Sequence, residues 1–166
     1  GSPPLPAARA VRSGGAVEVA GRVLAAAERQ SGLEVLLPVD CVVVERVAAD
    51  AQTRVVSRDQ IPDGWEGVDI GPETRQLFQA RIEGAGTVIW NGPLGVCEIE
   101  AFAKGTQAIA ETLERATWES GVISIIGGGD TAAAVKQAGA VAKMSHVSTG
   151  GGASLECLAG RVLPGV

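Results

Sequence analysis

Residues 123–135 read ISIIGGGDTAAAV: a short run dominated by isoleucine, three glycines, an aspartate and an alanine-rich helix former. This order predicts a strand, a tight turn and the start of a helix. The glycines let the backbone bend sharply and let another group come close to its N–H donors. A helix beginning at Asp130 or Thr131 aims several unpaired N–H groups in one direction. Such a corner attracts anions, phosphate above all. Asp130 stands where a helix N-cap belongs, and its carboxylate suits either capping or holding a divalent cation beside a bound phosphate. The stretch points to a nucleotide-phosphate site on a strand-turn-helix unit.

Two neighbouring stretches repeat the pattern. Residues 87–90 (TVIW) run into NGPLG and a helix over about 98–120, and residues 144–148 (MSHVS) run into TGGG and the helix former ASLECLAG. Three strand-turn-helix units in succession predict an α/β fold: an open parallel sheet with helices on both faces, Rossmann-like and three-layered. In such sheets ligands bind beyond the carboxyl ends of the strands, and all three glycine turns fall on that edge.

Upstream the pattern loosens. Residues 1–15 are rich in Pro, Gly and Ala and predict a linker or disordered tail; residues 16–166 form one nucleotide-binding domain. Val17, Ala20, Val23, Leu24 and Ala27 recur at helical spacing over residues 16–30, with Gly32 placed to end the helix. Residues 34–38 and 41–47 read as two strands, the second long enough to be fully buried. Residues 48–67 look irregular except for a short strand at 54–57. Pro72 and Glu73 open the next helix, where a fixed φ and a negative charge suit the first turn.

A chain of 166 residues with 46% hydrophobic content is ordinary for one domain with a real core. Its net charge of −5 is scattered, and only 3% of residues are aromatic, which argues against nucleic acid, an anionic membrane surface or a base-stacking platform as partner. Cys41, Cys97 and Cys157 lie far apart with one histidine in the chain, so they read as buried free thiols in a reducing compartment. No window is long and apolar enough to span a bilayer, and the N-terminus lacks a signal-peptide core. The expected setting is the cytoplasm. Arg9 and Arg12 without an acid in residues 1–17 leave an organellar transit segment, or a cloning remnant, open.

Two phosphate motifs can be tried. No GxxxxGK[ST] occurs. Gly127, Gly129 and Ala132 do satisfy G-x-G-x-x-A, the dinucleotide fingerprint, but the next strand ends in Ser148 and Thr149 rather than in the acid that takes ribose hydroxyls. An NAD-binding oxidoreductase is therefore the alternative reading, and a non-catalytic nucleotide-binding module a third.

Longer matches carry a family resemblance. LPVD at 37–40, GWEGVDIGPET at 64–74, VIWNGPLGVCEIEAFAKGT at 88–106, IIGGGDTAAAV at 125–135 and SHVSTGGGASLECLAGRVLPGV at 145–166 resemble, in order and spacing, the C-terminal nucleotide-binding part of phosphoglycerate kinase. The resemblance implies a monomeric kinase of glycolysis. Its reaction is reversible phosphoryl transfer between 1,3-bisphosphoglycerate and Mg-ADP, giving 3-phosphoglycerate and Mg-ATP. It implies further that Gly128, Gly129, Asp130 and Thr131 form the phosphate and magnesium turn, with Asp130 on the Mg2+. Asn91, Gly92, Pro93 and Gly95 match the loop beside the nucleotide, and Glu98 the carboxylate on its ribose. Thr149, Gly150, Gly151 and Gly152 match a helix N-terminus near the transferring phosphate; Gly129 and Gly152 are the expected catalytic positions.

Departures matter as well. The family's N-terminal substrate domain has no match here, nor does the glycine-rich segment whose lysines hold nucleotide phosphates; Lys104, Lys136 and Lys143 do not match those lysines. The chain alone is expected to bind nucleotide weakly at most and not to turn over. Cys97 stands where the family more often has phenylalanine. Plainer readings compete elsewhere. His146 reads as a hydrogen-bonded structural residue, Trp65, Trp90 and Trp118 as packing residues, and Glu98 without the resemblance as a first-turn acid. Asp40 and Asp69 are suited either to the ligand rim or to capping.

Overall fold

The computed structural model describes residues 15–148, 150–152 and 160. In chain order the elements are α1 (Ala16–Arg29), β1 (Asp40–Val44), β2 (Arg54–Ser57), β3 (Glu66–Ile70), α2 (Pro72–Glu83), β4 (Thr87–Asn91), α3 (Lys104–Ser120), β5 (Ile123–Gly127), α4 (Gly129–Gln137) and β6 (His146–Ser148). The expected tail over residues 1–14, Thr149, Cys157 and the helix former at 153–159 lie outside the described residues.

The parallel sheet is present in the order β4-β5-β6. Its register sets Asn91 opposite Gly127 and Gly127 opposite Ser148, so the carboxyl ends of the three strands are level with one another. Helices α2, α3 and α4 flank it. Buried positions Ile109, Ala110, Leu113 and Ala116 follow helical spacing along α3 and meet Trp90, Ile126 and Val135 in the main core. Each large apolar side chain buried there contributes about 1.5–3 kcal/mol. Gly121, at φ 72°, ends α3 in the left-handed conformation that glycine takes without steric cost.

An antiparallel sheet, order β2-β1-β3, accompanies the parallel one. The stretch expected to be irregular ends at 67, and β3 takes over its last two residues, Glu66 and Gly67. The EGVDI of β3 holds a glycine and two acids, a weak strand former that pairing with β1 overrides. Val44, Val68 and Phe102 make a second small core where a 3-10 turn, Glu100–Phe102, packs against this sheet.

Other boundaries also differ. Residues 34–38 form no strand, because the segment has no ladder partner among the described residues; Leu33, Val35 and Leu37 lie exposed along it. The strand expected over 41–47 runs from Asp40 to Val44. The helix expected from 98 begins at Lys104, which leaves Glu98 in a loop rather than a first helical turn. The third parallel strand is only His146–Ser148, preceded by a 3-10 turn at Val141–Lys143. Helix α1 forms as expected, yet of its apolar stripe only Ala27 is buried and Val17 is 77% exposed. Trp118 is likewise 77% exposed and is no packing residue, whereas Trp90 is buried.

Candidate functional site

The three glycine turns leave the same edge of the parallel sheet and touch. Gly128 N–H donates to the Ser148 carbonyl at 3.0 Å, fastening the second turn to the third strand. Gly92 N–H donates to Thr131 Oγ1 at 2.7 Å, fastening the first turn to the first helical turn of α4. A Cβ on Gly151 would lie 2.5 Å from Gly128 Cα and 3.1 Å from Asn91 Nδ2, so the third turn approaches both others as closely as glycine allows. Asn91, Gly92, Gly128, Thr131 and Gly151 are thus one cluster. Gly150 N–H donates to Ser148 Oγ at 3.2 Å on the same rim, and Gly151 and Gly152 take helical geometry there.

The glycines of the rim divide into two kinds. Gly92 and Gly128 hold φ near 98°, Gly95 holds φ 101°, and Gly151 has no room for a side chain; backbone conformation or packing requires glycine at each. Gly129 and Gly152 are exposed, have no left-handed φ, and face nothing within 4 Å among the described residues. A side chain at either position would enter open space among the described residues. Helix α4 begins at Gly129 itself, one residue before the expected start, so its first-turn donors include those of Gly129 and Asp130.

Asp130 is exposed in that first turn. Cys97 registers its charge: burial pushes the thiol pKa above the ordinary value, and the negative charges of Glu98 and Asp130 push it further. Cys97 is a free, half-buried thiol whose environment disfavours the thiolate. Cys41 is also free and half-buried, its thiol raised by burial and by Asp40. His146 is exposed, not an inward-facing structural residue. Among the described residues no three His, Cys, Asp or Glu side chains converge to form a metal centre. Asp130 remains as a single oxygen donor facing outward. One carboxylate beside phosphate oxygens is the set that magnesium takes, so the residues present fit that ion.

Supporting residues went unread in the sequence. Trp90 Nε1–H donates to the Gly92 carbonyl at 2.7 Å, while Thr106 Oγ1 both accepts from Leu94 N–H at 2.9 Å and donates to the Leu94 carbonyl at 3.0 Å. A tryptophan directly before Asn-Gly and a threonine in the first turn of the following helix were the available signals. Asp40 and Asp69 settle on capping. The Asp40 carboxylate accepts Glu73 N–H, Thr74 N–H and Thr74 Oγ1–H at 2.6–3.0 Å, capping α2 from another element. Asp69 accepts Gly105 N–H at 2.7 Å at the start of α3.

Known proteins share this sequence pattern and this fold. The family model for phosphoglycerate kinase matches residues 9–161. The phosphoglycerate kinase of Chloroflexus aggregans is 56% identical over 150 residues, covering 90% of this chain and 37% of the relative. That of Picosynechococcus is 56% identical over 133 residues, covering 80% and 33%. The structure of phosphoglycerate kinase from Coxiella burnetii superposes with a TM-score of 0.81 at 40% identity, over 89% of this chain and 37% of that one. The Pyrococcus horikoshii enzyme gives 0.70 at 26% identity, over 90% and 36%. The chain thus spans little more than a third of the length of the relatives it matches. With sequence and fold agreeing over nine-tenths of its residues, the chain belongs to the phosphoglycerate kinase family.

Proposed function

We propose that this chain carries the nucleotide side of a phosphoglycerate kinase, the surface that holds ADP or ATP while a phosphoryl group passes between 1,3-bisphosphoglycerate and ADP. The observation that carries the reading is the convergence of three glycine turns on one sheet edge, with open space before Gly129 and Gly152. Phosphoryl transfer asks a protein for alignment and charge stabilisation rather than covalent chemistry. N–H groups of Gly129, Asp130 and Thr131 at the start of α4 donate to phosphate oxygens, and the turn carrying Gly150 and Gly152 faces the transferring group. Thr131 contributes its backbone only, since its side chain is buried against Gly92. Asn91, Gly92, Pro93 and Gly95 line the path of the nucleotide, and exposed Glu98 takes ribose hydroxyls. Asp130 would hold a magnesium ion that offsets the negative charge of the phosphates. The 3-phosphoglycerate is held by a basic surface that no stretch of this chain matches, so the chain alone does not turn over. Its setting is the cytoplasm.

Calorimetry tests this directly. Mg-ADP binds weakly, magnesium-dependently and in preference to NAD, and Asp130→Ala weakens it at least tenfold. Binding of NAD in place of Mg-ADP reverses the reading. Joining the chain to the upstream region of a relative, in cis or as a second chain, restores ATP formation in a coupled assay; an unaided chain with near-normal turnover contradicts the proposed division of labour.

A further inference from the structure

Two buried aspartates do the same local work and differ in what else they touch. Asp40 caps α2 and meets only that helix and its lead-in, where a Cβ on Gly71 would collide with its carboxylate. Asp69, 6% exposed, sits between the antiparallel sheet, α3 and the NGPLG loop. Its Oδ2 accepts Gly105 N–H at 2.7 Å and its Oδ1 accepts Ile70 N–H at 2.8 Å. The same Oδ1 faces Gly95, whose Cβ would stand 2.8 Å from it and 2.7 Å from the Val68 carbonyl. The next residue, Val96, donates its N–H to that Val68 carbonyl at 2.9 Å. Beside Gly105, Thr106 exchanges two hydrogen bonds with Leu94. The carboxylate therefore packs against Gly95 and is tied to Leu94 through the first turn of α3, by way of Gly105 and Thr106. Burial pushes its pKa above the ordinary value, with Gly105 and Ile70 N–H and the charges of Arg75 and Lys104 offsetting part of that.

We propose that Asp69 is a positioning residue for nucleotide binding, acting through Gly95, Gly105 and Thr106 to fix the 91–98 loop against the phosphate edge. The inference rests on the nucleotide reading above. An Asn at this position keeps the shape but turns an NH2 group toward either the Gly105 or the Ile70 N–H, so one of those two hydrogen bonds is lost and the carboxylate charge with it.

The test sets Asp69→Asn against Asp40→Asn, using thermal unfolding, Mg-ADP calorimetry and amide hydrogen exchange. Both variants lower the unfolding midpoint. Asp69→Asn alone weakens Mg-ADP at least fivefold and speeds exchange of the 92–98 amides at least tenfold, while Asp40→Asn leaves both within twofold. Equal effects of the two variants on affinity, or unchanged 92–98 exchange in Asp69→Asn, overturn the inference. Should Asp69→Asn not fold, Thr106→Val cuts the last link to Leu94 and shows the same exchange signature, or overturns the inference by failing to. If the unmodified chain binds no Mg-ADP, the nucleotide reading falls, and the 92–98 exchange contrast by itself decides whether Asp69 positions the loop.

Discussion

At the scale of single residues, buried carboxylates and glycines carry the most information. Burial alone pushes the Asp40 carboxyl up, but three donors from Thr74 and Glu73, with Arg75 nearby, outweigh it and hold the pKa below the ordinary aspartate value. Because the folded-state pKa is depressed, this stabilisation is present above the unfolded value and is lost as pH falls through the folded one. Asp40→Asn is expected to lower stability by about 3 kcal/mol at neutral pH, since it disturbs charge-assisted bonds to buried donors. The gap in urea midpoint between the unmodified chain and the variant should shrink as pH drops from about 5 to about 3; a gap independent of pH would show that the carboxylate charge is irrelevant. The glycines give a second test. Alanine at Gly129 or Gly152 meets nothing within 4 Å among the described residues and suits a helical turn, so stability should stay level or rise by up to about 1 kcal/mol. Mg-ADP affinity should nevertheless fall, because the methyl occupies the ligand's space. Unchanged affinity in calorimetry would remove both positions from the site.

Elements were legible in the sequence where local pattern and tertiary demand agreed. ISIIGGGDT gave β5, its turn and α4 to within a residue or two, because isoleucine run, glycine bend and alanine-rich helix each need only their neighbours. Reading failed where pairing partners decide. The weak former EGVDI became β3 on the strength of β1, and the stronger former at 34–38 stayed irregular for want of a partner. The start of α3 was misjudged because its cap comes from Asp69, 36 positions upstream in sequence and invisible to a search for local N-caps. The rim was foreseen as three turns on one edge, but not that the first and third press upon the second. That contact predicts a difference between neighbouring glycines at the level of the turn. Gly151→Ala must push apart two backbones and should cost about 2–4 kcal/mol, while Gly152→Ala should leave the thermal midpoint unaltered or raised. Equal midpoints for the two variants would mean the turns do not touch.

For the whole molecule, the consequence lies in its sheet edges. β2 carries Arg54, whose guanidinium stacks over Trp65 at 4.5 Å; β3 carries Glu66 and is covered where Val96 bonds to Val68; β6 is only three residues long. Charge, cover and shortness are the devices that keep edges from pairing with other chains. β4 has none of them. Its TVIWN holds no charge and no proline, its outer edge has no strand partner among the described residues, and Ile89 is 46% exposed beside an apolar cleft of about 330 Å³ lined by Phe78, Ile82, Val88 and Ile109. An unguarded edge is its own template: two copies related by a two-fold axis at Ile89 would set Thr87 against Asn91 and Ile89 against itself. In contrast to the monomer implied by the resemblance, the isolated chain is expected to dimerise as concentration rises through about 100 µM, a range in which unpaired strand edges associate. Ile89→Lys should return it to monomer with an unchanged far-UV spectrum, because the lysine places charge on the pairing edge without entering the core. Sedimentation velocity decides the matter: a chain that stays monomeric throughout that range, or a dimer that survives Ile89→Lys, means that β4 is not the surface through which copies meet.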